Sequence, residues 1–253
     1  MKRIYLCDRT INGIYAALYD AWRYSRHEEA GIAFKDMVEH QLFCEYQEVF
    51  EDNRKALAVE RLIKEHLGYQ AYWDIYHALL SEDTERADAV FRVMQAARTV
   101  PNSKKIMEHL TEPSVVKVFE LSRRVANEAH LFMEVIRFRE LDNGVLFSDI
   151  SPANRILTCI GDHFTDRFPV ENWMIYDKTH QEILVHKAHM SWILVSGETA
   201  DEERTSLVSD AEKKFSHLWK GFFESTAIEE RRNERCQRTH LPLRYRKNMT
   251  EFT

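Results

Sequence analysis

Glycine and proline are scarce, with 7 Gly and 5 Pro among 253 residues. Long flexible linkers and low-complexity stretches are therefore not expected. The four cysteines, Cys7, Cys44, Cys159 and Cys236, lie far apart and form no Cys-x-x-Cys pair. That pattern fits reduced thiols in a cytoplasmic protein better than a disulfide framework. No apolar run approaches the ~18 residues that span a bilayer. The opening Met1-Lys2-Arg3-Ile4 lacks the apolar stretch of a signal peptide, so no membrane partner is expected. Gly-x4-Gly-Lys and Gly-x-Gly-x-x-Gly are both missing, which argues against nucleotide hydrolysis and dinucleotide binding. With no Cys-x3-Cys-x2-Cys motif, radical-SAM chemistry would have to belong to another protein, and no cofactor is implied.

What is present is ordinary for a globular chain, 44% hydrophobic and 30% charged, and it is long enough for one large or two small cores. The net charge of −6 is unevenly spread. Residues 231–253 hold seven cations against Glu234 and Glu251, a net of +5, which leaves the rest of the chain at −11. An acidic body with a basic end is the pattern of a chain that meets a polyanion at that end.

Hydrophobic periodicity predicts an α+β protein. A helix-rich N-terminal part (1–112) with short strands is followed by a part (113–253) built on a small antiparallel sheet flanked by helices. Residues 3–7 read as a strand, Asp8 or Thr10 as a helix cap, and residues 41–50 as a second strand. In the helical region 53–110, Tyr69, Tyr72, Trp73 and Tyr76 fall at i, i+3, i+4 and i+7, a stripe expected to be packed core. Ser114 is a candidate cap for a long helix whose Val118, Leu121, Val125, Ala129 and Phe132 share one face. Beyond it come a hairpin closing at Gly144, a short helix over 156–164, and strands at 172–176, 182–185 and 192–195 in an antiparallel meander. Glu198 to Arg204 reads as a solvated loop. The final helix, from about 208 to 225, carries Phe215, Leu218, Trp219 and Phe222.

The basic end is the strongest functional signal. Arginine makes planar, bidentate hydrogen bonds to phosphate, and here it outnumbers lysine six to one. Arg232, Arg235, Arg238, Arg244 and Arg246 are candidate phosphate contacts, with Asn233, Gln237 and Asn248 for sugar or base edges and His240 and Tyr245 for stacking. The plainer alternative is that these arginines pair with the acidic body. Arg137 and Arg139 alternate on one strand and would share a face, holding a phosphodiester or bridging to Asp149, Asp166 or Asp177. His163 and Asp166 lie within one helical turn and form a candidate general acid–base pair; the plainer reading pairs Asp166 with Arg167. Asp149, Asp166 and Asp177 are the only carboxylates offered for metal-assisted cleavage. Cys159 and His163, with His186 and His189, have no recurring zinc spacing, so no metal is assigned. No recognition helix of the helix-turn-helix kind stands out.

The stretch Arg137 to Asp177, with His163-Phe164-Thr165-Asp166-Arg167-Phe168-Pro169 and Trp173-Met174-Ile175-Tyr176-Asp177, also carries a resemblance. So do the ending Leu241-Pro242-Leu243-Arg244-Tyr245-Arg246 and the opening Tyr5-Leu6-Cys7-Asp8. Together they resemble a bacterial family of DNA repair or DNA metabolism proteins defined by a domain of unknown function. Its genes lie beside that of a radical-SAM DNA repair protein, and some members are fused to a uracil-DNA glycosylase-like domain. The resemblance implies DNA and the radical-SAM protein as partners, and assigns no chemistry to named residues. The expected function is binding of damaged or single-stranded DNA, with Trp173, Tyr176 or Tyr245 stacking an extruded base. A glycosylase-like hydrolase using His163 and Asp166, or a scaffold that only docks the partner protein, are the alternatives.

Overall fold

The computed structural model describes residues 2–24, 29–38, 42–228, 233–246 and 249–252. The chain divides into two compact units, Met1–Ala126 and Asn127–Thr253.

The first unit opens with β1 (Lys2–Cys7), α1 (Ile11–Tyr24), β2 (Ala30–Phe34) and β3 (Cys44–Glu48). The three strands form a parallel sheet in the order β2-β1-β3. Thr10, not Asp8, caps α1: its hydroxyl accepts the Gly13 N–H at 3.0 Å. β2 and the parallel pairing were not expected. The segment Ala-Gly-Ile-Ala-Phe is short and apolar without alternation, the mark of a strand covered on both faces. Tyr5, Cys7, Ile32 and Phe34 share one sheet face and join a core with residues of α2 (Asn53–His66), α3 (Gly68–Leu79) and α4 (Arg86–Ala96). Asp52 caps α2, accepting the N–H groups of Arg54 and Lys55. On α3 the aromatic stripe is only partly core. Tyr72 is buried, but Tyr69 and Trp73 are exposed, because Ala71, Ile75, Ala78 and Leu79 supply the inward face. Pro113 occupies the first position of α5 (Pro113–Val135), where its missing N–H is harmless, so Ser114 sits inside the helix and bonds Glu112 instead of capping.

In the second unit, β4 (Arg139–Glu140), β5 (Leu146–Ile150), β6 (Trp173–Asp177), β7 (Glu182–His186) and β8 (Ile193–Ser196) form one five-stranded sheet in sequence order. The sheet is mixed, which corrects the antiparallel expectation. β5 and β6 run parallel because α6 (Leu157–Arg167) carries the chain back between them; the other pairings are antiparallel. One face of β6 and β7, bearing Trp173, Ile175, Leu184 and His186, is buried. Leu157, Ile160 and Phe164 of α6 are buried as well, with the Phe164 ring 6.3 Å from that of Trp173. The opposite face, with Met174, Tyr176, Ile183 and Val185, is only half-buried.

The supposed loop after β8 contains a short helix, α7 (Glu202–Ser206). α8 (Asp210–Thr226) begins at Ser209, whose hydroxyl accepts the Glu212 N–H at 3.0 Å. α9 (Glu234–His240), α10 (Leu243–Arg246) and a 3-10 turn (Thr250–Phe252) complete the described chain. None of the described helices is long and apolar enough to cross a membrane.

Candidate nucleic-acid interface

Asp149 is the centre of the candidate site. It lies near the end of β5, with its side chain on the face opposite to the α6 layer, and it is almost fully buried. Arg139 enters from the neighbouring β4, lays its guanidinium 4.8 Å from the Phe147 ring, and donates to Asp149 Oδ1 at 2.7 Å. Lys178, just past β6, pairs with the other carboxylate oxygen. Burial alone would raise the Asp149 carboxyl, but the hydrogen bonds from Lys178 and Arg139 outweigh it and hold the group below the usual carboxylate range.

Arg137 lies outside the strand, in the link between α5 and β4, so the two arginines do not form the clamp that strand alternation suggested. It donates to the carbonyl of Glu134 at 2.9 Å and to Glu251 Oε1 at 3.0 Å. Glu251 also accepts the Trp219 indole N–H at 3.2 Å. Burial pushes the Glu251 carboxyl up, yet its own backbone N–H, Arg137 and Trp219 bring it below its ordinary value.

Arg244 arrives from α10, more than a hundred residues later in the chain. Its Nη2 donates to the Tyr245 hydroxyl at 2.6 Å, and its guanidinium lies 4.7 Å from the same ring. Tyr245 is buried edge-on against Phe132, with centroids 5.1 Å apart. Arg137, Asp149, Ser151, Arg244 and Tyr245 all line one narrow crevice of about 10 Å³, room for about one water molecule, so these side chains meet at one point of the surface rather than around an open cleft. In this locus Arg137, Arg139 and Lys178 bond two carboxylates, Asp149 and Glu251, while Arg244 bonds the Tyr245 hydroxyl. Nearby Glu128 is buried and engaged by the N–H groups of Ala153 and Asn154.

The remaining candidates fare differently. Arg246 donates to the Leu241 carbonyl at 3.1 Å and lies 4.8 Å from the Phe252 ring. Arg235 and Arg238 are exposed on α9, Arg238 beside Glu234 at 3.3 Å. Asn233 is a helix cap, accepting the Cys236 N–H. Arg231, Arg232, Lys247 and Asn248 lie outside the described residues, as does the side chain of His240. Trp173 and Tyr245 are buried and cannot stack a base; Tyr176 is half-buried on the open sheet face.

His163 and Asp166 are both exposed on α6, and the His163 ring rests edge-on against Phe164 at 4.9 Å. The three carboxylates proposed for metal-assisted cleavage do not converge. Asp149 and Asp177 project from opposite faces of the sheet, and Asp177 holds His180 Nδ1 at 2.6 Å and the turn amides of Thr179 and His180. Among the described residues no group of three His, Cys, Asp or Glu is placed to hold a metal ion. Cys159 is shielded, its thiol pushed up to about 11 by burial, and His186 is buried flat against Trp173 at 4.9 Å.

One feature of the second unit escaped the sequence reading. Phe215, Leu218, Trp219, Phe222 and Phe223 of α8 are all exposed, and the helix buries none of its residues. Phe138, Phe215, Trp219 and Phe222 line an open groove of about 620 Å³, and Arg137 borders this groove as well as the crevice. Sequence held no signal for this, since apolar residues at helical spacing look the same whether the face is covered or open.

The fold is thus that of an α+β protein whose second unit carries a cation cluster beside an aromatic groove. The chain belongs to the DUF4130 family: the family model, a domain of unknown function, matches residues 84–251, about two thirds of the chain. No curated protein matches it.

Proposed function

We propose that the protein binds damaged or single-stranded DNA as a component of a repair system, with the second unit making the contact. One observation carries this reading. Arg137 and Arg244, far apart in sequence, line one crevice next to the Arg139–Asp149–Lys178 cluster, and Arg244 there bonds the Tyr245 hydroxyl. Guanidinium and ammonium groups gathered at one locus suit a phosphate backbone, which supplies most of the sequence-independent affinity for nucleic acids. The family resemblance supplies the repair context and the radical-SAM partner. The partner would bring the iron–sulfur chemistry, because the sequence has no Cys-x3-Cys-x2-Cys motif.

Fluorescence polarisation of a labelled oligonucleotide over a salt series tests the reading. If the four cations each neutralise one phosphate of a single strand, log affinity falls with log salt at a slope of about −3. Arg244→Ala should lower the slope by about one phosphate's share and weaken all sequences alike. Absence of binding even at about 50 mM salt would remove the proposal.

A further inference from the structure

We infer that the groove along α8 is the base-binding half of the same site, taking two or three unpaired nucleobases of a single strand whose phosphates lie on the cation cluster. The inference rests on the proposed DNA reading and adds where the bases go. Its first support is continuity: Arg137 borders both the groove and the crevice that Arg244 lines, and Glu251 holds both Arg137 and the Trp219 indole, so cations and rings adjoin at one point. The second is the chemistry of the lining. Phe138, Phe215, Trp219 and Phe222 give π-faces, which accept any base in sequence-tolerant stacking. The third is access. Phe215 is 70% and Phe222 58% exposed, and duplex DNA keeps its bases stacked inside, out of reach of a ring on a helix surface. A volume of about 620 Å³ lies within the range of small-molecule sites, enough for a few planar heterocycles. Charge further separates the occupants. α8 itself carries Asp210, Glu212 and Glu224 against Lys213, Lys214 and Lys220, so no net positive face draws it to an anionic membrane.

The test compares an oligo-dT strand with a duplex of equal length, using the full chain and its Phe215→Ala and Phe222→Ala variants. Both side chains are largely exposed, so neither change should disturb folding, and circular dichroism melting checks this. Expected is a single-strand affinity weakened about 5- to 100-fold by each substitution, with the salt slope unchanged and the weaker duplex binding unaltered. Equal loss for strand and duplex, or no loss for either, overturns the inference while leaving DNA binding at the cations intact. The same holds if sedimentation shows the wild type self-associating through this face, with Phe215→Ala monomeric and its single-strand affinity unchanged. Failure of the wild type to bind any DNA at low salt would instead strike the underlying proposal.

Discussion

Helices α6 and α8 belong to the same unit, and both carry apolar residues on one side at helical spacing, yet they end in opposite environments. In α6 the inward residues Leu157, Ile160 and Phe164 are almost completely buried, and Gly161 admits the Trp192 indole so closely that a Cβ would lie 2.7 Å from it. In α8 the equivalent stripe, Phe215, Leu218, Trp219 and Phe222, faces solvent. Apolar periodicity therefore says that a helix has a sticky side and not what covers it. A covered stripe is explained by the fold; an uncovered one, bordered by Arg137 and Glu212 and lined mainly by rings, calls for a ligand.

Truncating the two stripes should separate them most sharply. Phe164→Ala removes a ring packed among Phe138 and Trp173, and should destabilise the second unit by roughly 3–5 kcal/mol in denaturant melts. A loss below about 1 kcal/mol would mean that α6 is not the covered helix described here.

An intermediate effect with a double signature is expected at Asp149. Its folded-state carboxyl lies below its unfolded value, so its stabilisation is complete above the unfolded pKa and is lost as pH falls through the folded one. Asp149→Asn should thus cost about 1–2 kcal/mol at neutral pH, a buried-pair loss discounted because Arg139 and Lys178 are partly exposed. The difference from wild type should shrink in acid. The same substitution frees two cations and should strengthen DNA binding, opposite in sign to its effect on stability. Weaker binding at full occupancy of the folded state would count against the cation cluster.

The smallest effect should come from Phe215→Ala, within about 0.5 kcal/mol in thermal or chemical melts, because a largely exposed ring contributes little to the folded state. A large destabilisation would place α8 with α6 and remove the contrast.

Much of this architecture was legible in the sequence wherever local signals decide the outcome. Strands flanked by turn residues, such as Trp173–Asp177 and Glu182–His186, and the helix opening at Ser209 were recoverable because caps, turns and alternation are encoded within a few residues. Direction and partner choice were not. The parallel pairing of β5 with β6 depends on where α6 returns the chain, and β2 lacks the alternation that would announce it. The site followed the same rule. The sequence offered Asp149 among three bridging partners for Arg137 and Arg139, and Arg139 takes it; only geometry shows Arg137 on Glu251 and sharing a crevice with Arg244. Trp173 and Tyr245 look like stacking residues in sequence and are buried in the fold. Phe215 and Trp219 lie at the apolar spacing of a packed helix and are exposed.

The most direct measurement is photocrosslinking of a bromodeoxyuridine-containing single strand to the protein, with the attachment sites mapped by peptide mass spectrometry. Bases seated along α8 should crosslink to Phe215, Trp219 or Phe222, and excess unlabelled strand should abolish the signal. Crosslinks confined to other segments, with the peptide spanning residues 210–226 unmodified at saturating strand, would contradict a base-binding role for this helix.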